Sequence, residues 1–180
     1  MKDKIKEIIE YMDELYPTAR CELNYTKDYE LLIATVLSAQ CTDKRVNEVT
    51  KVLWQKYDIF SLAKASQEEI ASIIRPVGSH TKKSGYLKKI AQSLVADYQG
   101  AVPNSREYLE SLPGVGRKTC NVVLSNLYDV PAIAVDTHVE RVSKRLSLAY
   151  NKDDVRTVEE KLMKKFPKEK WSRLHHQLVL

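Results

Sequence analysis

The chain has 180 residues, enough to bury a core without disulfides, and its three cysteines, Cys21, Cys41 and Cys120, are unclustered, which excludes a disulfide framework and reads as reduced thiols in a cytosolic protein. Its 29 Lys and Arg against 24 Asp and Glu leave a net charge of +5, compatible with a nucleic-acid partner without requiring one. The opening MKDKIKEIIE lacks the apolar stretch of a signal peptide, and the longest apolar run, Leu31–Leu37 with Thr35 inside it, is roughly a third of a bilayer-spanning length, which excludes a transmembrane helix.

Helical spacing dominates from the start, where Ile5, Ile8, Ile9, Met12, Leu15 and Tyr16 fall on one face. An apolar helix is predicted over Leu31–Gln40 and another over Asp43–Tyr57, with Asp43 as its cap and Val46, Val49 and Leu53 as its buried stripe. Ser66-Gln67-Glu68-Glu69 is a capping box that opens a short helix running to Pro76. After a turn at Gly78, the spacing of Leu87, Ile90, Ala91, Leu94, Val95 and Tyr98 predicts a long helix stopped by a left-handed cap at Gly100. A short helix from about Ser105 to Leu112, a tight turn and a helix from about Arg117 to Tyr128 come next. Asp136, Asp154 and Trp171 each precede or open a further helical pattern, with Pro167 separating the last two. About ten helices joined by short connections make the fold class all-α, without low-complexity linkers or a 20–50-residue repeat.

Leu112-Pro113-Gly114-Val115-Gly116-Arg117-Lys118-Thr119 carries the most information, because two of the five glycines stand two apart between two helices. Such a turn can take positive φ and bring backbone close to a ligand, and the helix that follows presents the positive end of its dipole, a site suited to phosphate. Gripped through backbone amides, DNA of any sequence would be held in register. An ordinary helix-to-helix turn uses glycine in the same way, so the pattern alone is an even choice. Lys118 stands where a cation is disfavoured. A partly buried amine facing the dipole gives up its proton more readily, and a neutral amine can attack a sugar carbon to form a Schiff base; a solvated lysine or a phosphate contact is the commoner use of such a residue. Further on, Asp136 ends the apolar run Ile133–Val135 and precedes a helix, so it is a natural N-cap that could also stabilise a cationic sugar or take a proton.

LPGVGRKTCNVVL followed by PAIAVDTHVERV resembles the helix-hairpin-helix and glycine/proline-rich, aspartate signature of the endonuclease III family. ELLIATVLSAQCTDKRVN and LHHQLVL extend the likeness over nearly the whole chain. The resemblance implies a base-excision repair enzyme that removes oxidised pyrimidines from double-stranded DNA by base flipping and then cleaves the abasic strand by β-elimination. It makes Lys118 the Schiff-base nucleophile and Asp136 the catalytic carboxylate. Leu112, Gly114, Val115, Gly116, Arg117 and Thr119 become the DNA-gripping hairpin, Gln40 the residue that fills the gap left by the flipped nucleotide, and Ser79, His80 and His138 further DNA contacts. Lys118 favours the bifunctional branch, since the related adenine glycosylases carry serine at that position. The family further implies a six-helix lobe over 22–131, with the hairpin motif at about 105–128, and a second lobe of 1–21 plus 132–180, with the active-site cleft between them. A monomer in the cytoplasm, associated with the nucleoid through DNA, is expected.

Two departures stand out. Ser79 replaces the bulky apolar or aromatic residue that the family usually wedges into the stack opposite the lesion. The family also ends in cysteines spaced C-x6-C-x2-C-x5-C around a 4Fe-4S cluster, whereas nothing after Cys120 supplies a ligand. The sequence stops inside an apolar helical run, WSRLHHQLVL, and reads as cut short of a cluster-bearing segment that the full-length protein is expected to have. No metal site is expected within this chain: His175 and His176 read as packing or phosphate contacts, without a carboxylate or cysteine at ligand spacing. Hairpins of the family can hold a monovalent cation on backbone carbonyls. Two other readings stay open, a glycosylase for a different damaged or mispaired base and a catalytically silent DNA-binding module.

Overall fold

A computed structural model describes residues 2–180, and the described residues form eleven α-helices, two short 3-10 turns and no strand, as the all-α reading expects. They divide into two units, residues 22–123 and residues 2–21 with 124–180. None of the described helices is long and apolar enough to cross a membrane.

The 22–123 unit holds α2 (Asp28–Leu37), α3 (Asp43–Lys56), α4 (Ile59–Lys64), α5 (Gln67–Ile74), α6 (His80–Tyr98), α7 (Arg106–Ser111) and the start of α8 (Arg117–Tyr128). Local chemistry starts these helices: Asp58, Ser66 and Ser105 each accept a hydrogen bond from the amide three residues on, and Ser66 and Glu69 form the expected reciprocal box. Helix α6 packs against α4 and α5, burying Leu87, Ile90 and Leu94 with Leu62, Ile70 and Ile74. Each such side chain contributes about 1.5–3 kcal/mol by leaving water.

Three expectations need correction. Thr42, not Asp43, caps α3: its extended backbone brings Oγ1 to within 3.3 Å of the Arg45 amide that it accepts from, and Asp43 becomes the first helical residue, where its charge favours the dipole. Helix α2 ends at Leu37 and not at Gln40, because Gln40 adopts φ 56, outside the right-handed region. Gly100 is left-handed as expected, at φ 87, but the left-handed backbone already begins at Gln99, so helix α6 ends at Tyr98. Helix α4, too short for periodicity to reveal, is an addition to the sequence reading.

The other unit contains α1 (Lys2–Leu15), the end of α8, α9 (Thr137–Arg145), α10 (Val155–Lys165) and α11 (Trp171–Val179). Its core gathers Met12, Ile133, Val135, Val139, Leu148, Val158, Leu162, Phe166, Leu174 and Leu178. Asp13 ties α1 to α11, accepting from Gln177 at 2.9 Å and from Lys170 at 3.0 Å, and these bonds hold its carboxyl below the usual carboxylate range.

Candidate functional site

Residues Leu112–Gly116 join α7 to α8. The Val115 amide donates to the Leu112 carbonyl at 3.2 Å, with Pro113 second in the turn and Gly114 third at φ 78, the arrangement of a type II β-turn. Leu112 and Val115 send their side chains into the core, so both can meet a ligand only through backbone. Gly114, Gly116 and Arg117 are exposed, and Thr119 is half-buried. A Cβ on Gly114 would lie 2.5 Å from Cδ2 of Tyr86, whereas one on Gly116 would meet nothing within 4 Å. Glycine at 114 is thus required by the chain itself, and packing gives no reason for glycine at 116.

Lys118 is the second residue of α8. The expected partial burial is not met: the side chain is exposed beside Arg117, while the buried face of the helix begins at Cys120 and Asn121.

Two exposed turns carry other residues singled out in the sequence. Gln40 lies in the turn after α2 at φ 56, and Ser79 follows Gly78 at φ 47, with His80 half-buried as the first residue of α6. Left-handed backbone at two non-glycine residues costs free energy that surrounding contacts must offset. Lys83, a residue the sequence reading missed, supplies such contacts. Its side chain is buried, and Nζ donates to the carbonyls of Leu37 at 3.0 Å, Ala39 at 2.8 Å and Val77 at 3.1 Å. Burial pushes the Lys83 ammonium below the usual lysine range. The signal was present, since Lys83 shares the face of Leu87, Ile90 and Leu94 at helical spacing, and a charge on an apolar stripe requires a partner. Tyr86, which floors the hairpin at Gly114, was missed as well.

In the other unit, Ala132–Val135 run buried up to Asp136, which caps α9 as expected. Its Oδ1 accepts from the amides of His138 and Val139, both at 2.9 Å. His138 is exposed, with Nδ1 3.2 Å from Arg141 Nη2. The histidines of α11 pack inward: His175 is buried, and desolvation holds His176 below the usual imidazole range.

The cysteines do not suit a four-thiolate cluster. Cys120 is fully buried, and desolvation raises its thiol, against the deprotonation that a metal ligand needs. Cys21 and Cys41 are half-buried, and among the described residues no group of three or more His, Cys, Asp or Glu could hold a metal ion.

Residues 33–168 match the model of the HhH-GPD superfamily base excision DNA repair proteins. The chain is 47% identical over 180 residues to endonuclease III of Bacillus subtilis (strain 168), covering 98% of this chain and 81% of that protein. Endonuclease III of Escherichia coli (strain K12) is 41% identical, with 99% and 85% covered. The fold is similar to that of a trapped endonuclease III–DNA covalent intermediate, with TM-score 0.94 and 48% identity, covering 99% of this chain and 84% of that one.

Proposed function

Because the chain belongs to the HhH-GPD superfamily of base excision DNA repair proteins, we propose that it is a bifunctional DNA N-glycosylase and abasic-site lyase that acts on oxidised pyrimidines in double-stranded DNA. The observation that carries this reading is the position of Lys118, an exposed amine in the first turn of α8 directly after the Leu112–Gly116 turn. The hairpin places backbone, Arg117 and Thr119 along a phosphodiester and holds the strand, while the open space at Gly116 admits close approach of a phosphate.

In the reaction, the lone pair of Lys118 Nζ bonds to the sugar C1′ as the bond to the damaged base breaks, the base leaves with a proton given up by the attacking amine, and ring opening leaves a Schiff base. Loss of a C2′ proton then expels the 3′ phosphate. Asp136 stabilises the cationic sugar through its carboxylate and keeps its cap on α9 at the same time. Gln40, Ser79 and His80 support the distorted duplex, and His138 contacts the backbone.

Borohydride trapping on an oxidised-pyrimidine duplex tests the assignment. Wild-type protein is expected to give a covalent adduct that Lys118→Ala abolishes; an adduct at wild-type level in the variant would refute the role of Lys118. The small side chain of Ser79 favours a second reading, a glycosylase for a different damaged or mispaired base, and a panel of lesion duplexes separates the two. Salt-sensitive DNA binding without nicking of abasic sites would instead indicate a silent binding module.

The protein is read as a cytoplasmic, nucleoid-associated monomer. No cluster ligand is assigned among Cys21, Cys41 and Cys120, so a 4Fe-4S cluster of the family's type would require other cysteines.

A further inference from the structure

We propose that Lys83 is a positioning residue that clamps the Gln40 turn and the Ser79 turn into one rigid DNA-distorting unit. The inference rests on the reading above that these two turns act on the duplex. Leu37 closes α2, Ala39 immediately precedes Gln40, and Val77 ends the 3-10 turn before Gly78 and Ser79. The carbonyls of all three converge on one ammonium, which has three donors and uses each of them.

Two physical points favour a clamp over a generic buried contact. Carbonyls at and beyond the end of α2 have no helical partner and carry the negative end of its dipole, so a cation held there satisfies them and suits the field. The two residues that project beyond the clamp, Gln40 and Ser79, are both exposed and both left-handed, so neither turn is held by its own backbone preference. A methylene chain without the ammonium fills the same space but leaves the three carbonyls to relax separately. A planar guanidinium cannot meet three converging acceptors in the same way.

The test compares two substrates that differ in what the turns must do. One is an abasic site in a fully paired duplex, where an opposing base has to be held apart; the other is the same site facing a gap in the complementary strand, where none does. Lys83→Met is expected to lose on the order of a hundredfold in cleavage of the paired duplex, the scale of small misplacements in a site, and to stay within about threefold of wild type in borohydride trapping on the gapped one. Equal losses on both substrates, or none on the paired duplex, overturn the proposal. If Lys83→Met unfolds at the assay temperature, Lys83→Gln, which keeps two donors, takes its place; unfolding of both also overturns it, because Lys83 would then serve fold stability alone. Gln40→Ala separates the underlying reading from the clamp. A Gln40→Ala variant indifferent to pairing sinks the DNA role of the turn, whereas pairing-dependent loss in Gln40→Ala but not in Lys83→Met sinks only the clamp.

Discussion

A methyl group built onto Gly114 would penetrate the ring of Tyr86, at 2.5 Å from Cδ2 and 3.0 Å from Cε2. Gly114 also holds φ 78, so steric exclusion and backbone conformation coincide at one position, and Gly116 two residues on has neither constraint. Gly114→Ala is therefore expected to lower stability by about 1–3 kcal/mol, read as a reduced urea midpoint. Gly116→Ala should leave that midpoint within about 0.5 kcal/mol of wild type yet weaken duplex DNA binding, because the added methyl occupies space assigned to phosphate. A Gly116→Ala protein that binds DNA like wild type would remove the hairpin's backbone from the interface.

Asp136 has two separable jobs. Asparagine retains an acceptor for the amides of His138 and Val139, whereas alanine does not. Asp136→Asn should unfold near the wild-type temperature and Asp136→Ala about 1 kcal/mol less stable, while nicking of an abasic duplex falls severely in both. Activity that tracked only the stability loss would reduce Asp136 to a cap.

Arg117 is exposed beside Lys118 at the start of α8. If it neutralises one phosphate, Arg117→Ala should reduce the slope of log K against log salt by about 1, with the same loss across unrelated sequences. Titrations at several salt concentrations measure this, and an unchanged slope would place the arginine away from the backbone.

Asp13 binds Gln177 and Lys170 as a carboxylate, which lowers its folded pKa below the unfolded value. Its contribution to stability is present above the ordinary carboxylate range, about pH 4, and disappears as pH falls through the folded value. Asp13→Asn should accordingly be less stable than wild type at pH 7, and the gap in urea midpoint should shrink toward pH 3. A gap that widened on acidification would contradict the assigned ionisation.

Short-range chemistry made much of the molecule legible in the residues themselves. The all-helical class, the capping roles of Ser66 and Asp136, and the reversal at Pro113-Gly114 depend on neighbours within about four positions, so their signals lie side by side in the chain. Helix ends that depended on an unusual backbone, at Gln40 and Gln99, were misjudged, since nothing in the side chains announces a left-handed residue other than glycine. Only the tertiary structure decided that Leu112 and Val115 turn inward, that Lys118 stands in solvent, that Tyr86 floors the hairpin, and that Lys83 reaches carbonyls near Gln40 and Ser79. Lys83 and Leu37 are 46 positions apart. Periodicity can report that such a lysine faces the core, but which acceptors meet it there is set by how separate helices pack, and no local pattern encodes that.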